Sequence, residues 1–164
     1  MGCGQIEQMR MVPLPALLLG LGGLIPFVAI SLLAGMAGAE WQGKALLALT
    51  AYAAVILAFL GGVHWGFALM SAASDGVQRT RFVLGIVPSL VGWAGLLVLF
   101  TGLETMAVAI EAAGFMALTI VEGRASRQGL VPAGYMALRY VLSAVVIGCL
   151  VSVCLLRVFG TRLG

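Results

Sequence analysis

The chain has 164 residues, of which 62% are hydrophobic and only 9% are charged, and its formal net charge is +3. Soluble domains carry about 25% charged residues, so the composition excludes a water-soluble globule and predicts an all-α, polytopic helical bundle surrounded by the lipid bilayer. The basic residues stand singly or in pairs between apolar runs, which is typical of topology signals and excludes a nucleic-acid-binding face.

Five apolar runs are long enough to cross a bilayer as helices. Within a single membrane domain of residues 1–164, the predicted spans are about 13–37, 45–70, 82–100, 105–121 and 140–159. The segment 101–104 leaves room only for a tight reversal, which predicts that the third and fourth spans are antiparallel neighbours. The longest connection is predicted over residues 122–139.

The distribution of basic residues predicts the orientation in the membrane. With five spans, the N-terminus and the loops around Arg79 and Arg124 lie on one side, and the C-terminus lies on the other. The first side carries six basic residues and the second three: Arg10, Arg79, Arg81, Arg124, Arg127 and Arg139 against Lys44, Arg157 and Arg162. The positive-inside rule therefore predicts a cytoplasmic N-terminus.

Small residues at helical spacing predict the faces on which helices pack, because close backbone approach drives association in lipid. Three such stripes occur: Gly62 and Gly66; Ala109, Ala113 and Ala117; and Ala144, Gly148 and Ser152. Spacing leaves open whether the partner helix belongs to this chain or to another protein. Pro26 and Pro88 lie inside predicted spans, where each removes a backbone hydrogen bond and is expected to kink its helix.

His64 is the single histidine of the chain, which excludes bis-histidine haem ligation and three-histidine zinc sites. It stands beside Trp65 in the second span, and two interpretations stay open. The pair could belong to the interfacial aromatic belt, with the imidazole bonded to a carbonyl group. Alternatively, His64 could handle a proton or contact a ligand.

Glu111 interrupts the fourth span, where a charged carboxyl group costs several kcal/mol. It is therefore expected to be protonated, paired across the bundle or turned toward water. We predict that its side chain points into the bundle or a partner interface, with a hydrogen-bond donor in reach. Direct pairing with His64 is not expected, because the helix rise places the two residues about 10 Å apart in depth.

The sequence contains no nucleotide-binding loop, nucleophile elbow, paired-carboxylate site or metal-binding cysteine cluster. It therefore predicts a protein that is not an enzyme and that has no cofactor and no metal site.

Four segments together resemble a family of uncharacterised bacterial inner-membrane proteins related to mitochondrial transmembrane protein 69. They are GLGGLIPF (Gly20–Phe27), ILAFLGGVHWGFAL (Ile56–Leu69), VLGIVPSLVGW (Val83–Trp93) and GLVPAGYMALR (Gly129–Arg139). The last segment departs from the family pattern at Gly134, where a tryptophan is usual. The resemblance implies a multi-pass protein of energy-transducing membranes, without an established reaction, and we expect this chain in the bacterial inner membrane. It makes six matching positions candidates for a shared site: His64, Trp65, Pro88, Trp93, Tyr135 and Arg139.

Two functional hypotheses remain. The first is a non-catalytic accessory or assembly component, which packs against a larger respiratory or other bioenergetic membrane complex. Small-residue faces, short loops and the lack of catalytic motifs favour it. The second is an autonomous membrane protein that binds or transports a small molecule, a quinone or a proton, in a pocket that Pro26, Pro88 and nearby glycines open near His64.

Overall fold

The computed structural model describes residues 13–70, 75–127 and 133–163, which are almost entirely helical. The helices in chain order are α1 (Leu14–Gly22), α2 (Leu24–Met36), α3 (Ala39–Met70), α4 (Asp75–Phe100), α5 (Glu104–Arg127) and α6 (Ala133–Leu163). Helices α1 and α2 together form the first of five segments that are long and apolar enough to cross a membrane. The predicted all-α fold with five spans is confirmed.

The first span is broken at Gly23, one turn before Pro26. Proline has no backbone N–H to donate to the carbonyl of the residue four positions earlier, and its ring crowds the preceding turn. Helix α1 ends where the Gly23 N–H donates to the Leu19 carbonyl at 3.0 Å. The Tyr52 hydroxyl of α3 donates to the Gly23 carbonyl at 2.9 Å, so the break is held against the second span. Pro88, by contrast, lies inside the continuous helix α4.

The observed helices are longer than the apolar runs that predicted them. Helix α3 begins six residues before position 45, α5 continues past 121 to Arg127, and α6 begins at Ala133 instead of 140. The predicted 122–139 connection is therefore wrong over most of its length. The apolar runs end at polar residues such as Glu122 and Arg139. The helices continue through these residues, because the bundle satisfies the hydrogen bonds of their side chains.

A short turn joins α4 and α5, as the sequence predicts. The N–H groups of Thr101 and Gly102 donate to the carbonyls of Val98 and Leu99 at 3.1 and 3.0 Å. Gly102 has a φ of 83°, a left-handed conformation that glycine adopts readily at a helix C-terminus. Helices α4 and α5 pack against each other, so the predicted antiparallel pair is confirmed.

Helix α3 lies at the centre of the bundle, where it contacts α2, α4 and α5, while α6 packs on α5, α2 and α1. The aromatic rings of Phe27 and Phe115 meet edge to face with 5.8 Å between centroids. A Cβ added at Gly92 of α4 would lie 2.7 Å from the Cα of Ala54 in α3, so a glycine lets these two backbones approach. The largest fully buried aliphatic side chains are Leu46, Leu49, Leu57, Leu150, Val108 and Val153.

The predicted small-residue stripes do not form these helix contacts. All eight residues are exposed: Gly62, Gly66, Ala109, Ala113, Ala117, Ala144, Gly148 and Ser152. An added Cβ at Gly62, Gly66 or Gly148 would meet no described atom within 4 Å. Whether these stripes pack within the chain or against another protein therefore stays a prediction.

Candidate functional site

Polar residues on α5 and α6 continue the buried faces of these helices. On α5, Phe115, Leu118 and Glu122 are buried at helical spacing, and on α6 Arg139 and Ser143 are buried in the same way. Residues three or four positions apart share one helix face. The same periodicity that buries the apolar core therefore carries a carboxylate and a guanidinium into the bundle.

The carboxylate of Glu122 accepts hydrogen bonds from three side chains on two other helices, α3 and α6. The Arg139 Nε donates to Oε2 at 2.7 Å, and the His64 Nε2 lies 3.0 Å from Oε1. The Tyr135 hydroxyl donates to Oε1 at 3.3 Å. Exposed fractions are 0% for Glu122, 2% for His64 and 4% for Arg139. A carboxylate only accepts hydrogen bonds, so the His64 Nε2 carries the hydrogen in this contact.

A second layer of hydroxyl groups extends from the guanidinium. The Arg139 Nη1 donates to the Ser143 Oγ at 2.6 Å. The Thr119 Oγ1 lies 2.9 Å from that Ser143 oxygen and 2.8 Å from the Phe115 carbonyl. Because a hydroxyl group donates only once, Thr119 donates to the carbonyl and Ser143 donates to Thr119. We call His64, Thr119, Glu122, Tyr135, Arg139 and Ser143 the Glu122 cluster.

The ring of Phe67 covers one side of the Glu122 cluster. Its centroid lies 6.2 Å from that of His64 and 5.8 Å from that of Tyr135, edge to face in both cases. The nearby Arg81 Nη1 donates to the Phe67 carbonyl at 3.0 Å. The Phe67 ring thus packs against both the imidazole and the phenol of the cluster.

A cavity of about 370 Å³ adjoins the Glu122 cluster, between the first span, α3 and α6. Arg139 and Tyr135 line one part of it, and the other lining residues are apolar or glycine. The Arg139 Nη2 is buried and has no acceptor among the described residues. Two lining residues, Leu19 and Phe59, are 78% and 66% exposed, so the cavity opens on the side that faces lipid.

Glu111 lies eleven positions before Glu122 on α5 and is also 0% exposed. Its predicted direction, into the bundle, is confirmed. The predicted donor is not found, because neither carboxylate oxygen has a hydrogen-bond partner in the described parts of the chain. Its Oε1 packs against Gly95 of α4, where an added Cβ would overlap it. Helix α4 therefore presents a glycine to Glu111 at this position, and no side chain that could donate a hydrogen bond.

Of the six positions that the family resemblance selected, the structure brings three together: His64, Tyr135 and Arg139. The Trp65 Nε1 donates to the Phe82 carbonyl at 3.2 Å on the surface, and Trp93 is 59% exposed. Pro88 is buried within α4. The separation of His64 from Glu111 is as expected, because the imidazole contacts Glu122 instead.

The sequence interpretation missed Glu122, Thr119 and Ser143. Glu122 was assigned to a loop because it ends the apolar run. A usable signal was present, since Phe115, Leu118 and Glu122 follow one another at three- and four-residue spacing. The same spacing links Arg139, Ser143 and Val146, so extending each apolar stripe past its first charged residue would have predicted two buried charges.

No three His, Cys, Asp or Glu side chains come together in a metal-binding arrangement within residues 13–70, 75–127 and 133–163. At the opposite end of the bundle, Arg157 of α6 pairs with Glu104 of α5. The chemistry available at the Glu122 cluster is thus hydrogen bonding and ion pairing, and the Arg139 Nη2 is buried without an acceptor among the described residues.

The fold and this site define a multi-pass α-helical membrane protein with a buried ion pair beside a lipid-facing cavity. A family model described as a protein of unknown function, DUF3429, matches residues 12–155, and the chain belongs to this family. The resemblance described above is therefore confirmed.

Relatives include transmembrane protein 69 from Xenopus tropicalis, which is 42% identical over 92 residues, or 56% of this chain and 36% of that protein. The mouse protein of the same name is 38% identical over 85 residues, or 52% of this chain and 34% of its own length. The matched region thus covers about a third of each relative. No solved structure matches the chain.

Proposed function

We propose that this protein binds a small amphipathic molecule from the bilayer in the cavity beside Arg139. The observation that carries the proposal is the cavity itself, whose lining is apolar or glycine except for Tyr135 and Arg139. Such a lining suits a molecule with a hydrocarbon or ring portion and one polar end.

The shape of the cavity supports the same function. Its volume of about 370 Å³ lies within the range of about 300–1,000 Å³ that is common for small-molecule sites. Its walls include Phe27, Ile56, Phe115 and Leu142, which suit a hydrocarbon or ring portion. The break at Gly23 contributes to the wall as well, so the interruption of the first span helps to shape the cavity.

Filling the cavity without touching the ion pair tests this function. Leu142 lines the cavity, and its Cδ1 would lie 3.0 Å from a Cβ added at Gly20. We expect Leu142→Trp to lower the amount of amphipathic molecule that co-purifies in mild detergent by about tenfold. Mass spectrometry of organic extracts, normalised to folded protein from size exclusion, provides the measurement.

The matched control is Leu90→Trp, because Leu90 is 55% exposed on α4 and does not line this cavity. It should retain the co-purifying molecule at the wild-type level. Leu138→Phe offers a milder block if the tryptophan variant does not fold. Equal retention by wild type and both blocked variants, or no co-purifying amphiphile in the wild type, would contradict the proposal.

A second candidate function is an accessory or assembly role in a larger respiratory or other bioenergetic complex. The eight exposed small residues favour it, because small residues permit close helix contacts in lipid. Gly62→Leu should then reduce a large assembly on native gels. The protein in mild detergent migrating as a free monomer would contradict this role.

We also propose that the protein resides in a bacterial inner membrane with its N-terminus in the cytoplasm. Arg139 pairs with Glu122 inside the bundle and no longer counts as a topology signal. Without it, five basic residues remain against three: Arg10, Arg79, Arg81, Arg124 and Arg127 against Lys44, Arg157 and Arg162. Arg10 lies outside the described residues. The direction of the charge bias is unchanged, and cysteine labelling of each loop in intact cells tests it.

A further inference from the structure

We infer that an open groove between α5 and α6 binds an anionic phospholipid, with the phosphate at Arg124 and Arg127 and one acyl chain along the alanines of α5. The groove shares no lining residue with the cavity beside Arg139. It is therefore a second site, and it does not depend on the proposed function.

The groove follows one face of α5. Six exposed residues recur along this face at spacings of three and four: Ala109, Ala113, Ala117, Ile120, Arg124 and Arg127. Residues at such spacings lie on the same side of a helix. The two arginines therefore stand at the end of the stripe that carries the alanines.

Two adjoining open cavities make up the groove. The first, of about 410 Å³, is lined by small and apolar residues of α5 together with Val151 and Cys154 of α6. The second, of about 360 Å³, is lined by the two arginines, by Tyr140 of α6 and by neighbouring residues of α5. Ile120 lines both cavities, so the apolar part leads directly into the basic part.

The basic end of the groove is available to an anion. Arg124 and Arg127 are exposed, and neither forms an ion pair with a carboxylate in the described parts of the chain. A Cβ added at Gly123 would overlap the Tyr140 hydroxyl, so the glycine lets this hydroxyl lie against α5. Guanidinium groups bind phosphate oxygens through charge-assisted hydrogen bonds, and basic residues at the membrane surface attract anionic lipid head groups.

The length of the groove fits one leaflet of the bilayer. Eleven positions separate Ala113 from Arg124, which corresponds to about 16 Å along a helix. Half of the hydrocarbon core of a bilayer is about 15 Å thick. With the guanidinium groups at the level of the head groups, an acyl chain can follow the alanines to about the middle of the membrane. A phospholipid carries both a phosphate and an acyl chain, so one molecule complements both parts of the groove.

Two lipids with the same acyl chains, dioleoylphosphatidylglycerol and dioleoylphosphatidylcholine, test the inference. The first has a net negative charge, and the second is zwitterionic. Native mass spectrometry of the full chain, delipidated in detergent and titrated with each lipid, measures the two affinities. We expect the phosphatidylglycerol to bind at least about fivefold more tightly. Equal affinities would overturn the inference.

Arg127→Gln tests the basic end. It should lower the affinity for phosphatidylglycerol by about fivefold and leave the affinity for phosphatidylcholine within about twofold. Arg79→Gln is the matched control, because Arg79 is an exposed arginine of α4 that does not line the groove. An equal loss in both variants would indicate a general surface attraction and would also overturn the inference.

Ala113→Leu tests the apolar part, because Ala113 is exposed and lines the first cavity. A larger side chain there should lower the affinity for both lipids by about fivefold, since they have the same acyl chains. Ala144→Leu is the control, at an exposed alanine of α6 outside the groove. Wild-type affinity in Ala113→Leu that is folded by size exclusion would overturn the placement of the acyl chain.

Two further outcomes separate this site from the other proposals. Leu142→Trp, which blocks the cavity beside Arg139, should bind phosphatidylglycerol at the wild-type level, so either site can fail without the other. Loss of a large assembly on native gels in Arg127→Gln, with lipid affinity unchanged, would assign this face to a protein partner and overturn the inference.

Discussion

Glu111 and Glu122 occupy the same helix eleven positions apart, and both are 0% exposed, yet their surroundings are opposite. Glu122 faces donors on α3 and α6, namely His64, Tyr135 and Arg139. Glu111 faces Gly95 of α4 and has no hydrogen-bond partner among the described residues. Burial of a carboxyl group therefore does not by itself indicate a network. The neighbouring helices decide whether donors are available at that depth.

The largest expected effect comes from removing the acidic partner at the Glu122 cluster. Glu122→Ala leaves the Arg139 guanidinium buried without a counter-charge, and such losses cost about 3–5 kcal/mol. The free energy of unfolding, measured by SDS titration in mixed micelles, should fall by that amount. Glu40→Ala is the control, because Glu40 forms an exposed pair with Lys44 at 3.8 Å and should change stability by less than about 0.5 kcal/mol. A loss below about 1 kcal/mol for Glu122→Ala would contradict the described ion pair.

The packing of Glu111 against Gly95 should be visible in a double-mutant cycle. Gly95→Ala places a methyl group where the Glu111 carboxyl group lies, and such overpacking costs about 1–3 kcal/mol. In a Glu111→Ala background the same change should cost much less, because the space is vacated. Gly62→Ala has open space and serves as the control. Equal costs of Gly95→Ala in both backgrounds would show that the two residues are not in contact.

Glu111→Met should raise the free energy of unfolding, whereas substitution of Glu122 should lower it. It replaces a carboxyl group without a donor by an apolar side chain of similar length. Stability is expected to rise by about 1 kcal/mol, because an unsatisfied polar group is removed. The same SDS titration measures the change, with Glu122→Met as the matched comparison that should lose stability. A loss from Glu111→Met would instead reveal that Glu111 has a donor, on another chain or a bound molecule.

The smallest effect is expected at the longest hydrogen bond of the Glu122 cluster. Tyr135→Phe removes the 3.3 Å contact with Glu122 and leaves the Arg139 and His64 contacts in place. A net loss of about 0.5–1 kcal/mol is expected for one such bond. Tyr140→Phe, at a residue that is 47% exposed, should change stability less. A loss above about 2 kcal/mol would mean that Tyr135 is central to the cluster.

Three of the six residues of the Glu122 cluster could be predicted from the sequence, and the reason differs from residue to residue. His64, Tyr135 and Arg139 were found because they stand in segments that resemble the family. Glu122 was missed because a charged residue at the end of an apolar run usually marks the membrane surface. The helical spacing of Phe115, Leu118 and Glu122 indicates its burial, but no local pattern reports that it pairs with Arg139, seventeen positions later on another helix.

The partner of the exposed small-residue stripes could not be assigned from sequence for a related reason. Spacing identifies small residues on one helix face, but it does not show which face the rest of the chain covers. Helix α3 carries glycines at adjacent positions, and Gly61 contacts α4 while Gly62 meets open space. A rotation of about 100° separates adjacent residues on a helix. The rotation of α3 about its own axis therefore decides which of the two glycines contacts α4.

The sequence by itself determined the class, the number of spans and the tight reversal at Gly102, because these depend on hydropathy over about twenty residues and on local backbone geometry. Tertiary structure alone decided that Glu122 meets His64 and Arg139 while Glu111 meets Gly95. The physical reason is that hydrogen bonds reach only about 3 Å. The partners of a buried carboxyl group are therefore set by how the helices are rotated and aligned against one another.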